Sequence, residues 1–276
     1  SGIFIAVIGA GEQSGHLGLV LERLADDLQE QQNLRGKLLA AALYPAIVSL
    51  VALVIVLFLL AYVVPQVAQV FGSNQQQLPA LTSFMLGLSS FVQNFWLWGL
   101  ALIAALSMGG HVALKQADVR VRFDAAWLQL PLIGRLARGY NAARFASTLA
   151  MLATAGVPIL KALQAAADTL SNTALQRDAQ DALVLVREGA PLASALAQHP
   201  RFPRLLVMFS RLGEQTGTLP TMLQRAAAQL SEEVQRRALQ LATILEPLLI
   251  VAMGAMVMLI VLAVMLPIIQ LNQWVR

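Results

Sequence analysis

Long apolar stretches separate the polar segments of this chain. No Asp, Glu, Lys or Arg occurs between Lys37 and Lys115, and roughly 20 apolar residues are enough to cross a bilayer. This interval has room for two membrane helices, and a further apolar stretch follows near the C-terminus. The predicted membrane helices are TM1 at residues 44–64, TM2 at 95–112 and TM3 at 243–271. Residues 65–94 predict a turn-rich loop with a short interfacial helix.

The basic residues orient these membrane helices. Lys and Arg are retained on the cytoplasmic side of a span, and they precede TM1, follow TM2 and precede TM3. The loop at residues 65–94 contains neither. We therefore expect residues 1–43 and 113–242 in the cytosol, and the loop and the tail at residues 272–276 on the other side. The N-terminus is then cytosolic and the C-terminus external.

An internal repeat relates TM1 to TM3. The turn Gly11-Glu12-Gln13-Ser14-Gly15 recurs 202 residues later as Gly213-Glu214-Gln215-Thr216-Gly217. The same offset aligns Pro45 with Pro247 and Pro65 with Pro267. Self-similarity at one fixed offset indicates a structural unit used twice. The repeat predicts that TM1 and TM3 are equivalent elements, each continuing a helix that starts at the Gly-Glu-Gln-Ser/Thr-Gly turn.

The second copy of the repeat is complete and predicts an all-α module of six helices. Apolar periodicity and turn residues place them at residues 140–155, 159–170, 172–189, 191–198, 203–212 and from 219 onward. In the third of these, Asn172 is the predicted N-cap and Gly189 the predicted end. Residues 1–43 hold only the last two helices of the first copy. We therefore expect the natural chain to extend further at its N-terminus, with Ser1-Gly2 left by cloning.

The composition agrees with a membrane protein. Hydrophobic residues make up 58% of the chain and charged residues 12%, against about 25% charged in a soluble domain. The chain has no cysteine, which excludes disulfides, thiolate catalysis and cysteine-ligated metals.

The repeated turn has both a structural and a functional interpretation. Its key residues are Gly11, Glu12 and Gly15 in the first copy and Gly213, Glu214 and Gly217 in the second. Structurally, each glutamate starts a helix and complements the free N–H groups there. The first glycine of each turn ends the preceding helix in the left-handed conformation, and the last keeps the corner tight. Functionally, the corner is a candidate docking site for a partner.

Two residue pairs mark the predicted cytosolic boundary of the repeated spans: Tyr44-Pro45 and Glu246-Pro247. Glu246 is an ionisable residue near a span, which suggests function by default. A proton relay would need further polar groups deeper in the helix, so we interpret Glu246 as an anchor or packing residue that reaches headgroups or a nearby Arg. Pro247 lacks an N–H donor and favours a kink.

Charged residues on the helix before TM3 form a second candidate surface. Glu232 with Arg236 and Glu233 with Arg237 are four residues apart, a spacing that supports an exposed helix. They indicate either a solvated face or a contact with an ATPase.

Basic residues at the start of the second module have a simpler interpretation. Arg135, Arg138 and Arg144 are predicted topology determinants beside lipid headgroups. The flanking sequence has no stacking aromatics, so nucleic acid is not an expected partner.

Other chemistry is not indicated by the sequence. His16, His111 and His199 are scattered and predict no metal site. No phosphate-binding Gly-x-x-x-x-Gly-Lys-Ser/Thr motif or Gly-x-Ser-x-Gly nucleophile elbow occurs. We expect a non-enzymatic protein that needs no cofactor.

Several motifs in order resemble the F-protein domain of type II secretion systems and of type IV pilus assembly. They are the doubled Gly-Glu-Gln-Ser/Thr-Gly turn, Arg144-Phe145 on a helix running into Ala155-Gly156-Val157-Pro158-Ile159, then Ala162-Leu163, and the prolines ending each repeated span. The resemblance covers essentially the whole chain. The tail from Leu266 to Gln273 is more similar to the secretion branch.

The resemblance implies a platform in the inner membrane of a Gram-negative bacterium. The expected partners are a cytosolic secretion ATPase, pseudopilins, bitopic inner-membrane assembly proteins and the lipid bilayer, with further copies of the chain in a homo-oligomer. The alternatives are a type IV pilus platform and a small transporter or channel. A transporter needs a polar or broken-helix pathway at the midplane, and an intramembrane hydrolase needs a nucleophile with a base, whereas these spans are almost uniformly apolar.

Overall fold

The computed structural model describes residues 17–66 and 80–274, and the regular structure in these ranges is helical. The helices are α1 (Leu17–Phe58), α2 (Ala80–Ala113), α3 (Ala117–Gln129), α4 (Ile133–Thr154), α5 (Ile159–Asp168), α6 (Thr173–Arg187), α7 (Leu192–Ala197), α8 (Arg204–Thr216) and α9 (Leu219–Trp274). A π-helical turn, Leu59–Val63, continues α1. The predicted all-α class is confirmed.

The described chain divides into two compact units. The first takes in residues up to Leu39 together with Val112–Leu239. The second takes in Ala40–His111 and the chain from Gln240. The helices α1 and α9, which carry the two copies of the repeat, each contribute residues to both units.

The first unit is a helical module with α4 at its centre. Phe145, Leu149 and Leu152 are fully buried on one face of α4, at the helical spacing that predicted this helix. Phe145 packs against Phe202 with ring centroids 5.4 Å apart. Leu24 of α1 and Leu223 of α9 join the same core. In both copies of the repeat, the part of the helix that precedes the apolar stretch therefore contributes a leucine to the core of this module.

Two glycines end helices, and one asparagine begins a helix, at the positions that the sequence predicted. Gly156 and Gly189 have φ angles of +80° and +96° after α4 and α6, a left-handed conformation that glycine adopts without steric cost. The Asn172 side chain accepts hydrogen bonds from the N–H groups of Ala174 and Leu175, so Asn172 is the N-cap of α6.

The helix α3 was missed by the prediction of six helices. It packs against α4 and α6, and its Asp124 carboxylate accepts hydrogen bonds from the Thr173 N–H at 2.8 Å and the Thr173 hydroxyl at 2.6 Å. Of its larger apolar residues, Leu128 is buried in the core of the module, whereas Val119, Phe123 and Trp127 are exposed. The helix is therefore held by polar contacts to the start of α6 as well as by packing, which apolar periodicity does not report.

Two helical segments are long and apolar enough to cross a membrane, Leu24–Gln66 and Leu219–Leu266. In each, 11% of the most apolar stretch is buried, whereas the core helix of a soluble protein would be mostly buried. Leu50 and Val51 of α1 and Leu248 and Val251 of α9 are all more than half exposed. The predicted TM2, residues 95–112, lies in α2 and stays a prediction. The loop with a separate short helix predicted before it is wrong for residues 80–94, because they form the first part of the continuous helix α2. Residues 67–79 lie outside the described residues.

A small apolar core holds the second unit together. Its buried residues are Leu60, Val64, Met85, Ile260 and Ala263. They come from α1 with its π-helical continuation, from α2 and from α9. Within this unit, α2 therefore packs against both repeat helices.

Candidate functional site

The corner between α8 and α9 is formed by the second copy of the repeated turn. Gly217 has a φ of +69°, and the N–H groups of Gly217 and Thr218 both bond to the Gly213 carbonyl. This pattern ends a helix in the left-handed conformation. The prediction that Gly213 adopts that conformation is wrong, because Gly213 lies inside α8 and Gly217 ends the helix.

Gly213 instead allows α9 to approach α8 closely. A Cβ atom at this position would lie 2.7 Å from the Leu219 Cα and 3.1 Å from the Met222 Cβ. Because the nearer atom belongs to the backbone, the helix itself would have to move. Gly213 is buried, so the corner requires a residue without a side chain here.

Glu214 is not at the start of a helix, and that prediction is also wrong. It lies in the last turn of α8, and its two carboxylate oxygens accept the N–H groups of Leu192 and Ala193 at the start of α7. The Ala193 bond is 3.2 Å. The carboxylate therefore complements a helix N-terminus, but of a helix about twenty residues earlier in the chain. Gly11, Glu12 and Gly15, the first copy of the turn, lie outside the described residues.

Equivalent positions of the repeat meet at the predicted membrane boundary. The Tyr44 hydroxyl donates a hydrogen bond to Glu246 Oε1 at 3.0 Å, and the two residues are 202 positions apart, the offset of the repeat itself. We expected headgroups or an Arg as the partner of Glu246, and the structure gives it Tyr44. Equivalent positions of the two copies thus meet within the second unit.

Pro45 and Pro247 each lie inside a continuous helix. Pro45 is within α1 and Pro247 within α9. The Ser49 hydroxyl donates to the Pro45 carbonyl at 2.6 Å. The kink predicted at Pro247 stays a prediction.

The second repeated proline, Pro65, creates a polar contact with α2. A proline cannot donate to the carbonyl four residues earlier, which for Pro65 is that of Ala61. The Gln93 side chain donates to the Ala61 carbonyl at 2.5 Å. Ser89 donates to the neighbouring Leu60 carbonyl, also at 2.5 Å, within the π-helical turn. Side chains of α2 thus donate to the carbonyls four and five residues before Pro65, the α-helical and π-helical acceptors to which a proline cannot donate.

At the equivalent proline in the other copy, Pro267, a side chain of α2 again donates to the carbonyl four residues earlier. The carbonyl four residues before it belongs to Ala263, and the buried Thr82 hydroxyl donates to it at 2.7 Å. Ala61 and Ala263 are equivalent positions of the repeat. Sequence reasoning missed Thr82, Ser89 and Gln93, although their spacing of seven and then four residues on an apolar helix was a signal that they share one face.

Only one of the two predicted charge pairs on α9 forms. Arg237 Nη2 lies 2.5 Å from Glu233 Oε1, whereas Glu232 and Arg236, both described and exposed, form no ion pair with each other. Nearby, Lys37 of α1 donates to the Gln235 side chain at 3.3 Å. The outer face of α9 therefore presents Glu232 and Arg236 to solvent.

His199 is less isolated than the sequence indicated. Its Nδ1 lies 3.4 Å from Asp178 Oδ1, and Arg201 Nη1 lies 2.7 Å from the same oxygen. Ligand atoms of Asp178, Asp181 and His199 come within 4.8 Å of one another. These three residues could hold a metal ion, but the Asp178 carboxylate is already neutralised by Arg201. The arrangement is that of a partly buried ion-pair cluster joining α6 to the segment before α8.

These features define an all-helical membrane-type protein with two equivalent apolar helices. The two helices are joined by the hydrogen bond from Tyr44 to Glu246 at the predicted membrane boundary. Side chains of a third helix, α2, donate to the carbonyls four residues before the repeated prolines Pro65 and Pro267. The family model described as type II secretion system (T2SS), protein F, matches residues 2–65 and 145–267. The two matched segments end at the equivalent prolines of the repeat. The chain belongs to the type II secretion system protein F family.

Named relatives span both branches of the resemblance. The chain is 41% identical to type II secretion system protein F of Pseudomonas aeruginosa, over 99% of this chain and 67% of that protein. It is 39% identical to the protein of the same name in Vibrio cholerae, over 98% of this chain and 66% of the relative. It is 36% identical to type IV pilus assembly protein PilC of Thermus thermophilus, over 97% and 66%. The chain thus spans about two thirds of the length of these relatives.

Proposed function

We propose that this protein is a non-enzymatic platform of a type II secretion system in the bacterial inner membrane. Its role would be to couple a cytosolic secretion ATPase to assembly of the pseudopilus. The observation that carries the proposal is that α1 and α9 each join residues of the helical module to an exposed apolar stretch in one helix. Such helices can transmit displacement without any reactive group of their own.

The proposed topology has three membrane helices. TM1 at residues 44–64 falls within the candidate segment Leu24–Gln66, and TM3 at residues 243–271 overlaps the candidate segment Leu219–Leu266 and continues past its end. TM2 at residues 95–112 falls within α2. Residues 1–43 and 113–242 are proposed to be cytosolic. The segment at residues 65–94, whose second half is the first part of α2, and the tail at residues 272–276 are then periplasmic.

The proposed partners follow from this role. A secretion ATPase would contact the cytosolic module, with the exposed Glu232 and Arg236 of α9 as the candidate surface. Pseudopilins and bitopic assembly proteins would contact the second unit, whose apolar side chains are exposed. The likeness to PilC of Thermus thermophilus makes a type IV pilus platform the second candidate. The 41% identity to a secretion protein over almost the whole chain favours secretion.

The coupling can be tested by labelling, because the chain has no cysteine of its own. Single cysteines at Ala46 and Leu248, both exposed residues beside the boundary prolines, would be reacted with a maleimide in proteoliposomes. Addition of the secretion ATPase with ATP is expected to change both labelling rates at least about twofold. A cysteine at Arg177, an exposed residue of α6, is the control.

Unchanged rates at Ala46 and Leu248 while the ATPase is bound would refute the coupling. Binding would be checked separately by retention of the ATPase on the proteoliposomes. A Glu232→Ala/Arg236→Ala variant tests the docking surface, because it should lose that retention if this face is the contact.

A further inference from the structure

A cavity of about 260 Å³ in the helical module is lined by five arginines and one carboxylate. The charged residues of the lining are Arg135, Arg138, Arg201, Arg204, Arg237 and Glu233. They come from α4, the start of α8 with the segment before it, and α9, so segments far apart in sequence contribute to one cavity. The guanidinium group of arginine is charged at every physiological pH. Five such groups around a small space repel one another unless an anion offsets them.

Three of the arginines are positioned by contacts of their own. Arg201 bonds to Asp178 at 2.7 Å and Arg237 to Glu233 at 2.5 Å. Arg138 Nε donates to the Gly134 carbonyl at 3.3 Å. These contacts fix the guanidinium planes before any ligand arrives, which lowers the entropy lost on binding.

Three of the five guanidinium charges have no carboxylate partner among the described residues, those of Arg135, Arg138 and Arg204. Arg135 and Arg204 are exposed, and neither has an ion-pair or hydrogen-bond partner among the residues that the structure describes. Behind the arginines the cavity is closed by the buried residues Phe202, Leu230 and Val234. The site therefore combines a positively charged mouth with an apolar floor that excludes water on one side.

We propose that this basic cavity binds a phosphate group, supplied either by the headgroup of an anionic phospholipid or by a soluble phosphate. Arginine forks bond to phosphate through two parallel N–H donors, and a phosphate offers more acceptor oxygens and more charge than a carboxylate. The volume lies below the roughly 300–1,000 Å³ of pockets for drug-sized ligands, so it suits a headgroup and not a whole nucleotide. This proposal does not depend on the role in secretion.

The test uses the full chain purified in a phosphate-free neutral detergent. One arm titrates dioleoyl phosphatidylglycerol, with zwitterionic phosphatidylcholine as the reference, and follows bound lipid by native mass spectrometry. The other arm titrates inorganic phosphate and pyrophosphate by calorimetry. Saturable binding in the first arm alone identifies a lipid site, and saturable binding in the second identifies a soluble phosphate site.

Two matched double variants separate the cavity from general surface charge. Arg135→Gln/Arg204→Gln is expected to weaken binding at least about tenfold, since each hydrogen bond to a charged group is worth roughly one factor of ten. Arg211→Gln/Arg225→Gln removes the same charge from exposed positions outside the cavity and should change binding less than about twofold.

Removal of the one carboxylate in the lining provides a variant that is expected to strengthen phosphate binding instead of weakening it. Glu233→Gln releases Arg237 and deletes the only negative charge of the lining, so it should tighten binding about threefold or more. A loss of folding could not produce that gain. Circular dichroism of each variant would verify its helix content.

Three results would overturn the proposal. One is no saturable binding of either class of probe. Another is equal weakening by the two double variants. The third is tighter binding of a hexaglutamate peptide than of every phosphate probe, which would assign the cavity to an acidic peptide of a partner protein.

Discussion

At the scale of single residues, the corner between α8 and α9 depends on a glycine that has no room for a side chain. Gly213→Ala is expected to lower the free energy of unfolding by about 1–3 kcal/mol, because the new Cβ would overlap the backbone of Leu219. This cost exceeds the roughly 1 kcal/mol that alanine gains over glycine in a helix. Denaturant unfolding of the full chain in detergent, followed by circular dichroism, would measure it.

Gly36 provides the matched control. It lies inside α1 with no atom within 4 Å of an added Cβ. Gly36→Ala should therefore leave stability equal or raise it by up to about 1 kcal/mol. If both alanine variants shifted stability in the same direction, the close approach at Gly213 would not be the cause.

Also at the residue scale, the Glu214 carboxylate supports a helix other than its own. Glu214→Ala removes the acceptor for two N–H groups at the start of α7, which is expected to cost about 0.5–2 kcal/mol. Glu232→Ala, an exposed glutamate that forms no ion pair with the neighbouring Arg236, should stay within about 0.5 kcal/mol of the parent. Equal effects of the two substitutions in thermal unfolding would contradict the capping role.

At the scale of helices, the contact between α2 and the repeat helices depends on carbonyls that prolines leave unbonded. Thr82→Val keeps the side-chain shape but removes the donor to the Ala263 carbonyl, which is expected to cost about 1–2 kcal/mol. Ser83→Ala, whose hydroxyl bonds only within its own helix, is the control.

A double-mutant cycle tests the physical reason for this contact. In Pro267→Ala the new backbone N–H can bond the Ala263 carbonyl, so Thr82→Val should cost less in that background than in the parent. The measurement is unfolding of the parent, both single variants and the double variant in one detergent. Additive effects would mean that the proline is not what makes Thr82 necessary.

At the scale of the whole molecule, the proposed topology places three segments in lipid. A fluorophore on a single cysteine at Val54, Leu102 or Met258, all exposed apolar positions, is expected to be quenched by brominated lipids in proteoliposomes. The same fluorophore at Arg177 of the helical module should not be. Absence of quenching at Leu102 alone would remove TM2 and leave two membrane helices.

Local signals made much of the fold predictable from sequence. Asn172 caps α6, and Gly156 and Gly189 end their helices as predicted, because each acts on residues within one turn of itself. The repeat predicted helices in both copies because equivalent sequences have equivalent propensities and patterns. The helix α3 escaped prediction because its exposed apolar residues and its polar tie to Thr173 are not periodic signals.

The roles of site residues were harder to predict wherever the partner is distant in sequence. Glu214 was placed at the wrong helix start, since nothing near it in the chain points to Leu192. The bond from Tyr44 to Glu246 was not predicted for the same reason. The contact with Tyr44 needs both repeats side by side, and the basic cavity needs α4, α8 and α9 assembled around it.

The amino-acid sequence by itself determined the helical class, the repeat, the apolar segments and most helix ends, because hydrophobic periodicity, caps and turns act over a few residues. Only the tertiary structure decided that Tyr44 meets Glu246, that α2 serves the carbonyls before Pro65 and Pro267, and that five arginines share a cavity. Those contacts join positions far apart along the chain, and their existence depends on how whole helices pack.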